Sequence, residues 1–335
     1  MLRDDADLET WLRRHGAQLT GPLRHRLITG GRSNLTYEVS GTAGRRYVLR
    51  TPPASGPGTA QTHDGAREFG IVSALAGSGV PVPGVVGLET SGDEWGIPFY
   101  VTEFVDGVVL ATPDDGARLP EPLRDKASSS IVDALAAIHA VDLEATGLGS
   151  IGPGRGYVAR QLDRWAARAP KLDERSARTI LETHAMLSAD VPAEGRPTLI
   201  HGDYKFANVM IAPATGAVAA VLDWELATIG DPLTDLGGLL AMWPDPLEAE
   251  PLVDSPTSNI GFQTRAQVVS RYADATGIDV RHVDWFHSFA LWKIACLLAG
   301  VVTRYRAGLM GEDDFDIEAG SALVAQLASR AQELL

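Results

Sequence analysis

Two carboxylates and an amide in fixed register constrain this chain more than anything else in it. The stretch from Thr198 to Trp224 contains His201-Gly202-Asp203-Tyr204-Lys205-Phe206-Ala207-Asn208, and Asp223 follows Asn208 by fifteen residues. Between them, Val209-Met210-Ile211 and Val218-Ala219-Ala220-Val221-Leu222 read as short strands, with turn chemistry in Pro213-Ala214-Thr215-Gly216. A hairpin of that length returns Asp223 to Asn208, so three oxygen-bearing side chains converge. Phosphoryl transfer from a nucleotide needs such a set: one carboxylate orients the acceptor and takes its proton, while a second carboxylate and an amide oxygen hold Mg²⁺. The bland alternative is a turn Asp, a turn Asn and a strand-end Asp that only solvate loops.

The spacing Asp203-x4-Asn208 matches the protein-kinase catalytic loop, with Asp223 at the place of the metal-binding Asp. His201-Gly202-Asp203 stands where protein kinases use His-Arg-Asp, and Asp223-Trp224-Glu225 where they use Asp-Phe-Gly. In these residues the chain resembles the aminoglycoside phosphotransferase-like family, the small-molecule branch of the kinase-like fold. The text Val48-Leu49-Arg50-Thr51-Pro52-Pro53, then His63 and Arg67-Glu68, is similar to the subfamily that includes the phosphotransferase domains fused to acyl-CoA dehydrogenases. The resemblance implies an α+β, bilobal, protein-kinase-like fold. Residues 1–105 would form a small antiparallel-sheet nucleotide lobe, and residues 106–335 a larger, mainly helical catalytic and acceptor lobe.

It also implies roles. Gly30-Gly31-Arg32-Ser33-Asn34 resembles the nucleotide-covering loop, where glycines admit phosphates and Ser33 and Asn34 lie against them. Arg50 stands where a phosphate-pairing Lys is usual, and arginine presents a planar fork instead of a point charge. Glu68 matches the partner of that cation. Phe99 to Gly107 resembles the inter-lobe hinge, where main-chain groups near Glu103 and Val105 would hold adenine. Asp203 would be the catalytic base, and Asn208 and Asp223 the Mg²⁺ ligands. Asp235 would brace the catalytic loop, and His139 would be a satisfied structural histidine. Lys205 would either steady the transferring group or face solvent.

Elsewhere the chain reads in order as follows. A first helix covers 4–19, with Leu8, Trp11, Leu12 and Leu19 on one face. Strands are expected near His25–Thr29, Asn34–Val39, Arg45–Arg50, Val85–Glu89 and Phe99–Phe104, and Pro52 to Gly65 reads as a mobile loop. Helices are expected near 64–76, 122–140, 157–169, 174–189, 264–276, 283–306 and 316–334. The acidic, Pro-rich stretch from Met242 to Phe262 is either an acceptor-shaping element or a plain surface loop. Trp285, Phe286, Phe289 and Trp292 are expected in the core.

Charge narrows the partners. The net charge is −14, of which −1 falls through Val105 and −13 beyond it. An acidic second half argues against nucleic acid or an anionic membrane and is compatible with a cationic acceptor. The acidic N-terminus lacks an apolar leader, the apolar tract from Phe286 to Val302 contains His287 and Lys293, and Cys296 is the one cysteine. These features lead to the expectation of a cytoplasmic protein without disulfides. The expected activity is ATP- and Mg²⁺-dependent transfer to a hydroxyl of a small molecule, aminoglycoside-like or a hydroxy acid or its CoA ester. The rivals are a non-catalytic nucleotide-binding module of the same fold and, last, a protein kinase.

Overall fold

The computed structural model describes residues 5–30, 35–52, 65–310 and 314–335. The chain is α+β and divides into two compact units, one of residues 1–108 with 219–226 and one of residues 109–218 with 227–335.

In the first unit, helix α1 (Asp5–Arg14) is followed by strands β1 (Leu19–Thr20), β2 (Arg24–Gly30), β3 (Leu35–Ser40), β4 (Ala43–Gly44) and β5 (Arg46–Thr51). Helix α2 (Gly65–Leu75) and strands β6 (Val85–Glu89) and β7 (Phe99–Glu103) complete it. Five strands form an antiparallel sheet in the order β2-β3-β5-β7-β6. The two-residue period of β5 sends Tyr47 and Leu49 to one face, where they join Leu8, Trp11, Leu12, Phe99 and Val101 in a core. Arg50 therefore belongs to the opposite face, with Tyr100 as its cross-strand partner.

The first helix is shorter than expected. Gly16 takes φ +83°, and Ala17 N–H donates to Leu12 O at 3.0 Å, a glycine stop that ends the helix and frees Leu19 to pair with Gly44.

The second unit opens with strand β8 (Val108–Val109), whose first residue counts with the first unit. Helices α3 (Pro113–Arg118), α4 (Glu121–His139), α5 (Tyr157–Ala166) and α6 (Glu174–Ala189) follow. Strands β9 (Thr198–Ile200), β10 (Val209–Ile211), β11 (Val218–Val221, of which only Val218 counts with this unit) and β12 (Thr228–Gly230) lead to helices α7 (Leu233–Ala241), α8 (Arg265–Thr276), α9 (Val283–Arg306) and α10 (Ile317–Glu333). Helix α9 is long and apolar enough to cross a membrane. Here it is the central core helix. Trp285 Nε1 donates to Leu187 O at 3.3 Å, Trp292 Nε1 to Ile180 O at 3.0 Å, and Ser288 Oγ to Ala331 O at 2.7 Å. Each buried polar atom thus finds a carbonyl on α6 or α10.

The stretch 242–262 is no plain surface loop. Trp243 is fully buried, donates to Gln263 O at 2.8 Å, and lies 5.2 Å from the Phe206 ring, which also meets Phe262.

Candidate functional site

In the second unit the candidate residues grow from a strand pair. β9 runs antiparallel to β12, with Ile200 opposite Thr228, and delivers His201 at its end. Gly202 then takes φ +85°, a conformation that explains glycine between the histidine and Asp203. The turn is pinned from below by Asp235, 2% exposed on α7. One oxygen accepts from His201 N at 2.6 Å and the other from Gly202 N at 2.8 Å. His139 Nε2 lies 3.4 Å from the same carboxylate, and its Nδ1 meets Tyr272 Oη at 2.7 Å. Full burial pushes the Asp235 acid up, but the His139 hydrogen bond and charge, with His201, outweigh it and hold the group below the usual carboxylate range.

Above this brace Asp203 stays accessible, with 40% of its side chain exposed. Lys205 Nζ donates to both its oxygens, at 2.9 and 2.8 Å. Asn208 Nδ2 donates to Asp203 O at 2.8 Å and to Asp203 Oδ2 at 2.9 Å. Both of those atoms are acceptors only, so chemistry dictates that the amide turns its NH₂ toward Asp203 and leaves its oxygen free. Tyr204 anchors the loop from the other side, donating to Ile131 O at 2.7 Å.

In the first unit the candidate residues centre on Arg50. Its Nη1 donates to Glu68 Oε1 at 2.6 Å and its Nη2 to Asp223 Oδ1 at 3.3 Å, while Nε is buried without a partner among the described residues. Burial opposes the guanidinium's charge, but Tyr100, Glu68 and Asp223 more than compensate and hold its pKa above the ordinary value. Burial pushes the Glu68 carboxyl up, against the pull of Arg50. Asp223 has φ +65°, one of two non-glycine residues in the left-handed region among the described residues. A non-glycine residue there is strained and persists where its surroundings impose it. Those surroundings are Val221 N–H on Pro81 O at 2.8 Å and the buried Trp224, whose Nε1 donates to Val221 O at 3.1 Å.

Arg50, Glu68 and Asp223 are thus together in one unit, and Asp203 and Asn208 together in the other. Asn208 Oδ1 and the Asp223 carboxylate, each taken within its own unit, are hard oxygen donors. That donor chemistry suits Mg²⁺, which takes few protein ligands. Ser33 and Asn34 lie outside the described residues, as do residues 53–64 of the expected mobile loop. At the expected hinge, Glu103 N–H is used by Gly84 O at 2.7 Å and its carboxylate by Arg45, whereas Val105 has no hydrogen bond among the described residues. Tyr100 escaped the sequence reading because its place beside Arg50 depends on the pairing of β5 with β7. The buried Trp243 against Phe206 escaped for the same kind of reason.

Comparison with known proteins gives a consistent picture. The family model described as the phosphotransferase enzyme family (APH) matches residues 24–267. Acyl-CoA dehydrogenase family member 10 of Mus musculus is 33% identical over 301 residues, which is 88% of this chain and 28% of that protein. The chain therefore spans under a third of that relative's length. A solved structure from Ralstonia eutropha JMP134, named as a candidate aminoglycoside phosphotransferase, is 28% identical with a TM-score of 0.83, covering 100% of this chain and 98% of the other. Aminoglycoside 2'-phosphotransferase-IIIa in complex with GDP is 16% identical with a TM-score of 0.66, covering 98% and 99% of the two chains, a likeness of fold.

Proposed function

This chain belongs to the phosphotransferase enzyme family, and from that premise we propose that it moves the γ-phosphoryl group of ATP to a hydroxyl of a small molecule, with Mg²⁺ in the site. The observation that carries this reading is the lock between Asp203 and Asn208. It sets an accessible carboxylate beside an amide oxygen with no other duty.

Asp203 orients the acceptor hydroxyl and takes its proton as the oxygen attacks the γ-phosphorus and the bond to the β-phosphate oxygen breaks. Lys205, now bonded to Asp203, is placed to accompany the transferring group. Asn208 and Asp223 would hold Mg²⁺, which when bound would neutralise charge on the phosphates. Arg50, fixed by Glu68, stabilises phosphate charge with its guanidinium. Nucleotide is assigned to residues 1–105, with adenine at the main chain near Glu103 and Val105, and acceptor to residues 106–335. The acceptor is aminoglycoside-like or, in keeping with the resemblance to domains fused to acyl-CoA dehydrogenases, a hydroxy acid or its CoA ester.

A positioned base contributes about 10²–10⁴ in rate. Asp203→Asn should lose turnover by about that factor while Mg-ATP still raises the melting temperature, and Asp223→Ala should abolish turnover. Wild-type turnover in Asp203→Asn would overturn the assignment. The close approach of Arg50 to Asp223 favours a second reading, a non-catalytic nucleotide-binding module. Stabilisation by Mg-ATP without transfer to any acceptor would select it.

A further inference from the structure

Within the first unit, Arg50 stands between two carboxylates that hold it very differently. Its Nη1 donates to Glu68 Oε1 at 2.6 Å, and the Glu68 side chain is 3% exposed. Its Nη2 donates to Asp223 Oδ1 at 3.3 Å, and the Asp223 side chain is 34% exposed. A short charged hydrogen bond to a buried carboxylate is an anchor, because breaking it strands a charge away from water. A longer one to a carboxylate that water reaches contributes little to stability and can be exchanged for another partner. The guanidinium thus has one fixed arm and one releasable arm.

Release of the second arm leaves the Asp223 turn held by other contacts. Arg67, the residue before Glu68 on α2, donates through Nη1 to Glu225 O at 3.1 Å, and Trp224 Nε1 donates to Val221 O at 3.1 Å. These bonds keep the φ +65° backbone of Asp223 in place without help from its carboxylate. A lysine at position 50 could not hold both acids in this way. Its ammonium is a single point of charge that burial tends to neutralise, whereas a guanidinium stays charged and carries its donors apart in a rigid plane. Asp223 is therefore an accessible carboxylate whose charge is shared with a permanent cation.

We propose that Arg50 is a built-in counter-cation that makes divalent-metal binding at Asp223 conditional on nucleotide. Without nucleotide, the guanidinium neutralises Asp223 and repels a second cation. Phosphate oxygens compete for the same guanidinium, and as Arg50 turns to them the full charge of Asp223 becomes available to a metal ion. Resting on the metal role given to Asp223 above, this coupling holds whether or not transfer follows.

The test reads metal binding, not turnover. Mn²⁺, a paramagnetic substitute for Mg²⁺, is titrated into the full chain and the bound ion followed by electron paramagnetic resonance. Arg50→Lys keeps the charge and loses the fork, so Mn²⁺ alone should bind about 10-fold tighter than to wild type, on the scale of a unit charge a few ångströms from a divalent ion in a wet site. By reciprocity, the factor by which Mn²⁺ strengthens binding of a non-hydrolysable ATP analogue should shrink in step. Should Arg50→Lys fold poorly, Arg50→Gln serves, with a tightening at least as large because the charge is gone too. Adding Asp223→Asn to either variant should abolish the tightening. Equal Mn²⁺ affinity in wild type and the Arg50 variants, or a tightening that survives Asp223→Asn, would overturn this inference alone. Mn²⁺ binding with the analogue present that Asp223→Asn leaves unchanged would overturn the metal role of Asp223 with it.

Discussion

Replacing Asp235 by asparagine is the sharpest perturbation of the catalytic loop, because it changes one atom and almost no volume. The two Asp235 oxygens serve opposite sides of the turn, one accepting from His201 N at 2.6 Å and the other from Gly202 N at 2.8 Å. Asparagine has a single acceptor oxygen. Its NH₂ must then face a backbone N–H, which leaves one buried donor unsatisfied and turns a charged hydrogen bond into a neutral one. An unsatisfied buried donor costs about 1–3 kcal/mol, and the lost charge assistance about 1 kcal/mol. Relief of carboxylate burial returns part of this, so the net expectation is about 2–4 kcal/mol, together with weaker bonding to His139. Urea unfolding of wild type and Asp235→Asn should show that difference at unchanged slope. Turnover should fall by about 10²-fold, because a loop displaced by an ångström misplaces Asp203. A stability change below about 0.5 kcal/mol would refute the reasoning, since asparagine in the pose of Asp235 keeps one of the two hydrogen bonds.

Other expectations follow from the same geometry. His287, 6% exposed, has its pKa pushed down to about 3 by burial, with Arg265 and Arg330 adding to it. The folded state refuses a proton that the unfolded chain accepts below about pH 6.5, so stability is full above that pH and falls as pH drops toward the folded value. The slope is about 1.4 kcal/mol per pH unit, or about 2 kcal/mol by pH 5, and His287→Phe should flatten that limb of the melting profile. Gly202→Ala forces alanine to φ +85° and should cost about 1–2 kcal/mol along with activity. Gly238→Ala, on α7 with nothing within 4 Å of the added methyl, should gain about 0.5–1 kcal/mol. Thermal melts of the two variants side by side check the pair, and equal shifts would refute the conformational argument.

What could be read from the sequence was local. Asp203 and Asn208 share one loop, so their spacing alone placed them together, and Asp235 was recognisable from its position after Asp231-Pro232. Tyr100 was not, because its neighbourhood with Arg50 exists only once β5 and β7 pair in register. Trp243 sits in an acidic, Pro-rich segment whose composition reads as surface, and its burial comes from Phe206, thirty-seven positions earlier. Helix α3 was overlooked although Thr112 and Asp115 make a capping box, a signal present in the text Thr-Pro-Asp-Asp. The first helix was drawn too long because Leu19 fits the helical period that Gly16 interrupts. The sequence leaves Lys205 between two roles, and its contact with Asp203 decides where its charge goes but follows from no periodicity.

The backbone at Asp223 carries a consequence for anyone who redesigns this protein. At φ +65° glycine would sit without penalty, so a selection that rewards heat tolerance alone would drift toward it. The same replacement deletes the carboxylate that Arg50 approaches. On the proposed function, ruggedness and turnover therefore pull in opposite directions at this one position, and a library scored only by melting point would lose the proposed chemistry first.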